Sequence, residues 1–373
     1  MHKVIVLTSS RADYGIYRPL LKLLAASNEI DLGIIAFGAH LFQSHGQTVN
    51  AIKNEGYSIL HEVNHEPIND SPQGISFNLG EVIQKFSSIW GKEKDTNLII
   101  CLGDRYEMFG AIIASIPFQL KIAHIHGGET TLGAIDNIFR HGISLSSSLH
   151  FVATQAFQAR LQGLLNTDQN IFTVGALSLD NINEVDLLSV KEFEKQFDLL
   201  IDNQTILCTF HPETINLEAN KKFIENFSLL CDFYTDLRFA VGLPNADTDG
   251  SYLRESYLRL ENTLDRVSCF EHLGTQGYFS AMKNCKLLLG NTSSGIIEAA
   301  SFEKYVINVG DRQKGRVNSD NVFNTSLDFQ DMKNALEMAI SKGKFEGENE
   351  YKKDNNMTVA EEVYNEIINY LSD

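Results

Sequence analysis

Where a short apolar run ends, His124-Ile-His-Gly-Gly-Glu-Thr130 sets two imidazoles and a carboxylate within six positions. Imidazole changes charge near neutral pH, and a positioned carboxylate gives or takes a proton, so His126 and Glu129 are candidates for acid–base work. Gly127-Gly128 leaves room for a ligand and for a loop to close over it. At alternate positions of a strand, His124 and His126 would project to one side and could also ligate a metal. The set lacks the His-Glu-x-x-His helix spacing and any cysteine partner, which disfavours a metal.

Five further segments carry more polar chemistry than a turn needs. In Cys101-Leu-Gly-Asp-Arg-Tyr-Glu107, Asp104 is a carboxylate acid or base with Arg105 beside it to tune it or hold substrate. The plainer reading has Asp104 capping the next helix and Arg105 pairing with Glu107. In Asp136-Asn-Ile-Phe-Arg-His141, Asp136 caps a helix or aims into a crevice, with Arg140 and His141 one turn later. Thr8-Ser-Ser-Arg-Ala-Asp-Tyr-Gly15 is not G-x-G-x-x-G, so a nicotinamide or flavin cofactor is disfavoured there. Arg11 and the helix start can meet a phosphate, or serve only as a cap with an exposed arginine. Gly290-Asn-Thr-Ser-Ser-Gly-Ile-Ile-Glu298 is a hydroxyl-rich loop opening into a helix. Thr292, Ser293 and Ser294 suit a phosphate, and Glu298 suits a ribose. Arg312, in Asp311-Arg-Gln-Lys-Gly-Arg316, supplies the positive charge a diphosphate needs.

These segments need a scaffold that brings strand ends together. Strand signals at 3–8, 31–38, 97–102, 121–124, 150–153 and 170–174 alternate with helical patterns at 17–26, 48–55, 75–90, 106–115, 136–147 and 154–165. After a pause near 175–190 the alternation restarts. Strands follow at 205–209, 237–241, 267–270, 286–289 and 305–309, with helices at 190–200, 217–234, 252–264, 276–284, 295–301, 331–341 and 359–371. Such alternation implies α/β architecture with parallel sheets covered on both faces. The expected organisation is two doubly wound domains. Residues 1–178, joined by the C-terminal helix 357–373, form the one bearing the catalytic side chains, and residues 179–356 the one binding the nucleotide.

Composition agrees with this and excludes other classes. The chain has 373 residues, too many for one ordinary core, with 43% apolar and 21% charged residues, as in packed globular proteins. Its formal charge of -17 opposes nucleic acid as principal partner. An anionic substrate must then be held by a few placed arginines and helix N-termini against that field. Five widely spaced cysteines without C-x-x-C suggest neither a disulfide framework nor a zinc site. The start runs straight into a strand, and nothing approaches 18 uninterrupted apolar residues. A cytoplasmic protein outside the membrane is expected.

Seven segments in order are Ser-Arg-Ala-Asp-Tyr-Gly (10–15), Gly-Asp-Arg (103–105), His-Ile-His-Gly-Gly-Glu (124–129), Asp-Asn-Ile-Phe-Arg-His (136–141), His-Pro-Glu-Thr (211–214), Gly-Asn-Thr-Ser-Ser-Gly-Ile-Ile-Glu (290–298) and Gly-Asp-Arg-Gln (310–313). Together they resemble the UDP-N-acetylglucosamine 2-epimerase family, in particular its hydrolysing members that feed sialic acid biosynthesis. The resemblance implies two Rossmann-like domains facing across a cleft, a GT-B-like arrangement. It places Arg11, Gly15, Arg105, His211, Asn245, Thr292, Ser293, Glu298 and Arg312 on UDP. Asp104, His126 and Asp136 fall where the family has three carboxylates implicated in catalysis. This chain departs from the family in carrying His126 where many members have Glu, and Asn137 where they have a second Asp.

The implied chemistry needs no redox cofactor. UDP leaves the anomeric carbon of UDP-N-acetylglucosamine as the C2 proton is lost, giving 2-acetamidoglucal; water and a proton then add to yield N-acetylmannosamine. It requires an acid–base set at C1–C2 and positive charge on the departing diphosphate. The same chemistry on UDP- or GDP-linked N,N′-diacetylbacillosamine is the alternative. A non-hydrolysing epimerase, a GT-B glycosyltransferase and a non-catalytic nucleotide-sugar binder are the remaining rivals. The family also suggests a homodimer or a homotetramer.

Overall fold

The computed structural model describes residues 1–42, 47–64, 69, 71–213, 216–244, 250–353 and 356–372. The chain divides into two compact units. The first holds Met1–Glu129, Asp136–Asn181 and Lys352–Asp373; the second holds Thr130–Ile135 and Ile182–Tyr351.

In the first unit the strands are β1 (His2–Thr8), β2 (Ile30–Phe37), β3 (Ile59–Val63), β4 (Leu98–Leu102), β5 (Ile122–Ile125), β6 (Leu149–Val152) and β7 (Ile171–Thr173). They form one parallel sheet in the order β3-β2-β1-β4-β5-β6-β7. Between them run α1 (Arg11–Ala26), α2 (Val49–Asn54), α3 (Pro72–Trp90), α4 (Tyr106–Ile113), α5 (Asp136–Leu145) and α6 (Gln155–Leu165), and α7 (Asp180–Glu184) follows β7. The period-2 geometry of β1 explains why a continuous apolar run is needed. Val4 and Val6 face one core with Tyr17, Leu20 and Leu24 of α1, while Ile5 and Leu7 face another with Phe86, Trp90 and Met108. The C-terminal helix α14 (Val359–Ser372) closes the first of these cores with Val363 and Ile367. Asp180 caps it, its carboxylate accepting from the Val359 and Ala360 N–H groups at 3.2 and 2.7 Å.

The second unit repeats the plan. Strands β8 (Thr205–Thr209), β9 (Arg238–Gly242), β10 (Val267–Phe270), β11 (Leu287–Gly290), β12 (Val306–Val309) and β13 (Val322–Thr325) lie parallel in the order β10-β9-β8-β11-β12-β13. Helices α8 (Val190–Phe197), α9 (Leu217–Phe233), α10 (Gly250–Thr263), α11 (Gly274–Asn284), α12 (Ser293–Ile297) and α13 (Phe329–Lys342) complete it. In each sheet the strand order reverses beside the first strand, at β1/β4 and at β8/β11. Ligands of open α/β sheets bind outside the strand ends at such reversals.

The structure corrects three expectations from the sequence. Helix α1 begins at Arg11 rather than near 17, because Ser10 and Asp13 form a capping box that starts it earlier. Strands β3 and β13 were not anticipated: both are sheet edges, where one-sided pairing requires less apolar sequence. Strand β5 ends at Ile125, so His126 lies beyond it. All five cysteines are free. Among the described residues no helix is long and apolar enough to cross a membrane.

Candidate active site

In the first unit, polar residues gather past the carboxyl ends of β1, β4 and β5. After β1, the Asp13 carboxylate organises the turn from within. It accepts from the backbone N–H groups of Ser9 (2.8 Å), Ser10 (2.9 Å) and Tyr14 (2.8 Å) and from the Thr8 hydroxyl (2.9 Å). His40, fully buried, bridges Thr8 Oγ1 and Thr48 Oγ1 at 2.8 Å each. Burial pushes its imidazole below the ordinary range. This scaffold presents Arg11 at the start of α1, half-buried and without an ion-pair partner among the described residues. Burial lowers its guanidinium to about 10, which leaves it a cation at neutral pH. Gly15 lies inside α1, where its carbonyl accepts from Asn181 Nδ2 at 2.9 Å.

After β4, Gly103 takes φ +75°, a conformation glycine enters freely. Its carbonyl meets Nε2 of the buried His124 at 2.9 Å, and Ser144 Oγ meets Nδ1 at 3.0 Å. Both ring nitrogens are therefore occupied, and burial drives the imidazole down to about 3, so it stays neutral. His124 shapes the turn and is not free to pair with His126 around a metal. The turn presents Asp104, which Arg140 of α5 grips in an ion pair. Arg105 instead reaches the buried Glu107, at 3.3 Å. The arginine beside Asp104 in sequence is thus not the one that holds it.

After β5, His126 adopts φ +64° and donates its backbone N–H to Phe151 O at 2.9 Å. Its Nδ1 lies 2.7 Å from Glu129 Oε1, with both side chains buried. Nε2 is buried and meets no partner among the described residues. The same holds for Nε and Nη1 of Arg140 and for Nδ1 of His141. Burial, then the Arg140 and Arg160 charges, lower the His141 imidazole. Arg160 donates to Gly128 O at 2.8 Å. Asp136, partly buried, opens α5. Buried polar groups without partners each cost about 1–3 kcal/mol, and a cluster of them at strand ends is where a polar ligand recovers that cost.

In the second unit, Asn291 joins two loops. Its side chain accepts from His211 N at 2.7 Å and donates to His211 O at 2.8 Å, fixing the turn after β8. Gly290 has φ +143°, and a Cβ there would lie 1.9 Å from Thr209 O. Thr292 caps α12, its Oγ1 accepting from Ser294 N at 3.3 Å, while Ser293 and Ser294 stay half-exposed. Glu298 is buried at the far end of α12. The buried Glu213 carboxylate accepts from Asp311 N at 2.8 Å, and burial raises its pKa. That bond braces the loop bearing Arg312, whose Nη1 donates to Pro212 O at 2.6 Å. Residues 130–135 also pack here, with Leu132 N donating to Lys314 O at 3.0 Å.

The family described as UDP-N-acetylglucosamine 2-epimerase matches residues 22–371. This chain belongs to that family. It falls in the hydrolysing branch. A UDP-N,N′-diacetylbacillosamine 2-epimerase (hydrolyzing) of Legionella pneumophila is 34% identical over 351 residues, 94% of this chain and 92% of that protein. A GDP/UDP-N,N′-diacetylbacillosamine 2-epimerase (hydrolyzing) of Campylobacter jejuni is 31% identical over 341 residues, 91% of this chain and 88% of that one. Among solved structures, the UDP-GlcNAc 2-epimerase of Neisseria meningitidis bound to UDP-GlcNAc superposes with a TM-score of 0.81. That match is 16% identical and covers 98% of this chain and 100% of the other, so it speaks for a shared GT-B-like fold.

Within this family member, the structure brings Asp104, Arg140, His124, His126 and Glu129 to one edge of the first sheet. Arg11 and Arg105 lie past the neighbouring strands of that sheet, and Asp136 opens the helix that carries Arg140. His211, Thr292, Ser293, Ser294, Glu298 and Arg312 lie past β8, β11 and β12 of the second. Thr214 and Asn245 fall outside the described residues. Residue-by-residue reading overlooked Asp13, His40 and Glu213. The Ser-x-x-Asp spacing at 10–13 was the available signal for Asp13. For His40 and Glu213 the partners are 32 and 98 positions away, and no local spacing announces them.

Proposed function

We propose that this protein is a hydrolysing 2-epimerase of nucleotide-linked N,N′-diacetylbacillosamine. The choice of sugar is carried by the two diacetylbacillosamine 2-epimerases that match more than nine-tenths of the chain. The chemistry is supported by the buried His126 Nε2 and by Arg140, which grips Asp104 and has two further buried nitrogens; none of these nitrogens has a partner among the described residues. UDP-N-acetylglucosamine, implied by the motif resemblance, is the alternative substrate for the same mechanism. It lacks the second acetamido group at C4.

In this reading the C2 proton passes to the acid–base set of Asp104, His126 and Asp136, with Glu129 supporting it. The C2–H electron pair becomes a C1–C2 double bond, and the C1–O pair departs on the nucleoside diphosphate. Water then adds at C1 and a proton returns to the other face of C2. Arg312 stabilises the leaving diphosphate, joined by the hydroxyls of Thr292, Ser293 and Ser294, and Arg11 and Arg105 are among the UDP contacts that the resemblance implies. Thr292 Oγ1 accepts from its own cap but keeps a hydroxyl hydrogen to donate. Glu298 takes the ribose, and Gly15, His211 and Asn245 complete the nucleotide contacts that the resemblance implies.

The test is incubation of the full chain in D2O with UDP- and GDP-linked diacetylbacillosamine and, separately, UDP-N-acetylglucosamine, followed by NMR. Free 2-epimerised diacetylated sugar carrying deuterium at C2, with released nucleoside diphosphate, is expected. Turnover of UDP-N-acetylglucosamine alone would move the substrate assignment, and a nucleotide-linked epimer as product would refute hydrolysis.

A further inference from the structure

The His126–Glu129 pair is built with more constraint than a strand end requires. A non-glycine residue at φ +64° persists only where its surroundings over-determine it. Here the backbone N–H is tied to Phe151 O at 2.9 Å and the ring to Glu129 at 2.7 Å. The turn between them depends on Gly128 at φ +73°, where a Cβ would fall 2.6 Å from Phe157 O. Together His-Gly-Gly-Glu folds its last residue back onto its first.

The pairing fixes the chemistry of the ring. A carboxylate only accepts hydrogen bonds, so Nδ1 carries the hydrogen and Nε2 of the neutral ring is a bare lone pair. That atom is buried with no partner among the described residues. His124 has both nitrogens committed to Gly103 and Ser144 and offers no such lone pair. The charged and titratable groups on neighbouring elements are His124 from β5, Arg140 from α5 with its partner Asp104, and Arg160 from α6. Glu129 is the carboxylate bonded directly to the His126 ring.

We infer that Nε2 of His126 is the base that removes the C2 proton of the nucleotide-linked sugar, and that Glu129 is a positioning residue that fixes the ring's tautomer. The inference rests on the epimerase reading above. The Nε2 lone pair takes the proton, the C2–H pair forms the C1–C2 double bond, and the C1–O pair leaves on the diphosphate. The resulting imidazolium shares its Nδ1 hydrogen with Glu129 and returns its proton to water before the next turnover. No oxidant or reductant enters.

Two measurements test it, the first independent of turnover. Long-range 1H–15N spectra of the 15N-histidine-labelled full chain, with His126 assigned by its loss in His126→Gln, should show a protonated Nδ1 and a bare Nε2. Glu129→Ala should abolish that preference; a proton on Nε2 in the parent overturns the inference. Second, His126→Gly, which the left-handed backbone accepts, should lower kcat about 10²- to 10⁴-fold with KM within about twofold. Added imidazole should restore activity, more so for more basic methylimidazoles. Retained kcat, or loss in a folded variant without rescue, overturns the base assignment. If the parent releases nucleoside diphosphate from none of the sugars, the epimerase reading fails while the spectra still judge the pair.

Discussion

Replacing Asp13 by Asn should loosen the first unit by an amount that its hydrogen bonds allow to be worked out. Asp13 Oδ1 accepts from Ser10 N, Tyr14 N and Thr8 Oγ1, and Oδ2 from Ser9 N at 2.8 Å and Ser9 Oγ at 3.0 Å. An amide retains one oxygen, best placed on the Oδ1 side, so its NH2 must face the Ser9 N–H. A charge-assisted bond worth about 1.5–3 kcal/mol is lost, and a fully buried N–H is stranded at a further cost of about 1–3 kcal/mol. The total is about 4 kcal/mol. The chain has a single tryptophan, Trp90, fully buried in the same unit with its indole N–H on Ala111 O, so its fluorescence reports that unit's unfolding. With a urea m-value of about 2 kcal/mol/M, the midpoint should fall by about 2 M. Because the same turn presents Arg11, KM for the nucleotide sugar should rise as well. A midpoint shift under about 0.5 M would refute the view that Asp13 holds this turn.

Further outcomes follow from individual positions. Gly290→Ala places a methyl 1.9 Å from Thr209 O at φ +143° and should cost more than about 3 kcal/mol, or prevent folding of the second unit, as read by thermal unfolding. Gly80→Ala, inside α3 with nothing within 4 Å, should instead stabilise by about 0.5–1 kcal/mol and raise Tm by a few degrees; a fall would show crowding the structure does not contain. His124 and His150 are buried neutral, lowered to about 3 and about 4 chiefly by burial. Their unfolded forms bind protons first, so this stability is complete above about pH 6.5 and is lost as pH falls from there toward those values, at up to about 1.4 kcal/mol per pH unit for each. A urea midpoint that stays flat between pH 6.5 and 5 would contradict it. Arg312→Ala should weaken UDP binding about tenfold or more by calorimetry, and Glu213→Ala should do so in part by releasing the Arg312 loop; unchanged affinity in both would remove that loop from the nucleotide site.

Much of the architecture was legible because buried parallel strands demand near-continuous apolar runs, and β1, β4, β8 and β11 have them. The edge strands β3 and β13 were not, since His61 and Glu62 in the first and Asn324 in the second break the run. Candidate site residues stood out as polar side chains at strand ends where a turn alone would not need them. Their pairings did not. Arg105 adjoins Asp104 in sequence, yet the ion pair comes from Arg140, 36 positions on, because only packing of α5 against α4 brings that guanidinium to the turn.

The linear order of residues was therefore sufficient for the strand–helix alternation, the two sheets and the membership in an epimerase family, because these follow from periodicity and local motifs. Three-dimensional packing alone settled that His124 is spent on Gly103 and Ser144, while His126 sets Nδ1 against Glu129 and leaves its buried Nε2 without a partner among the described residues. Two imidazoles two positions apart are equivalent in a string. They become different when β5 ends between them, and a left-handed turn sends one ring into the fold and the other onto a carboxylate.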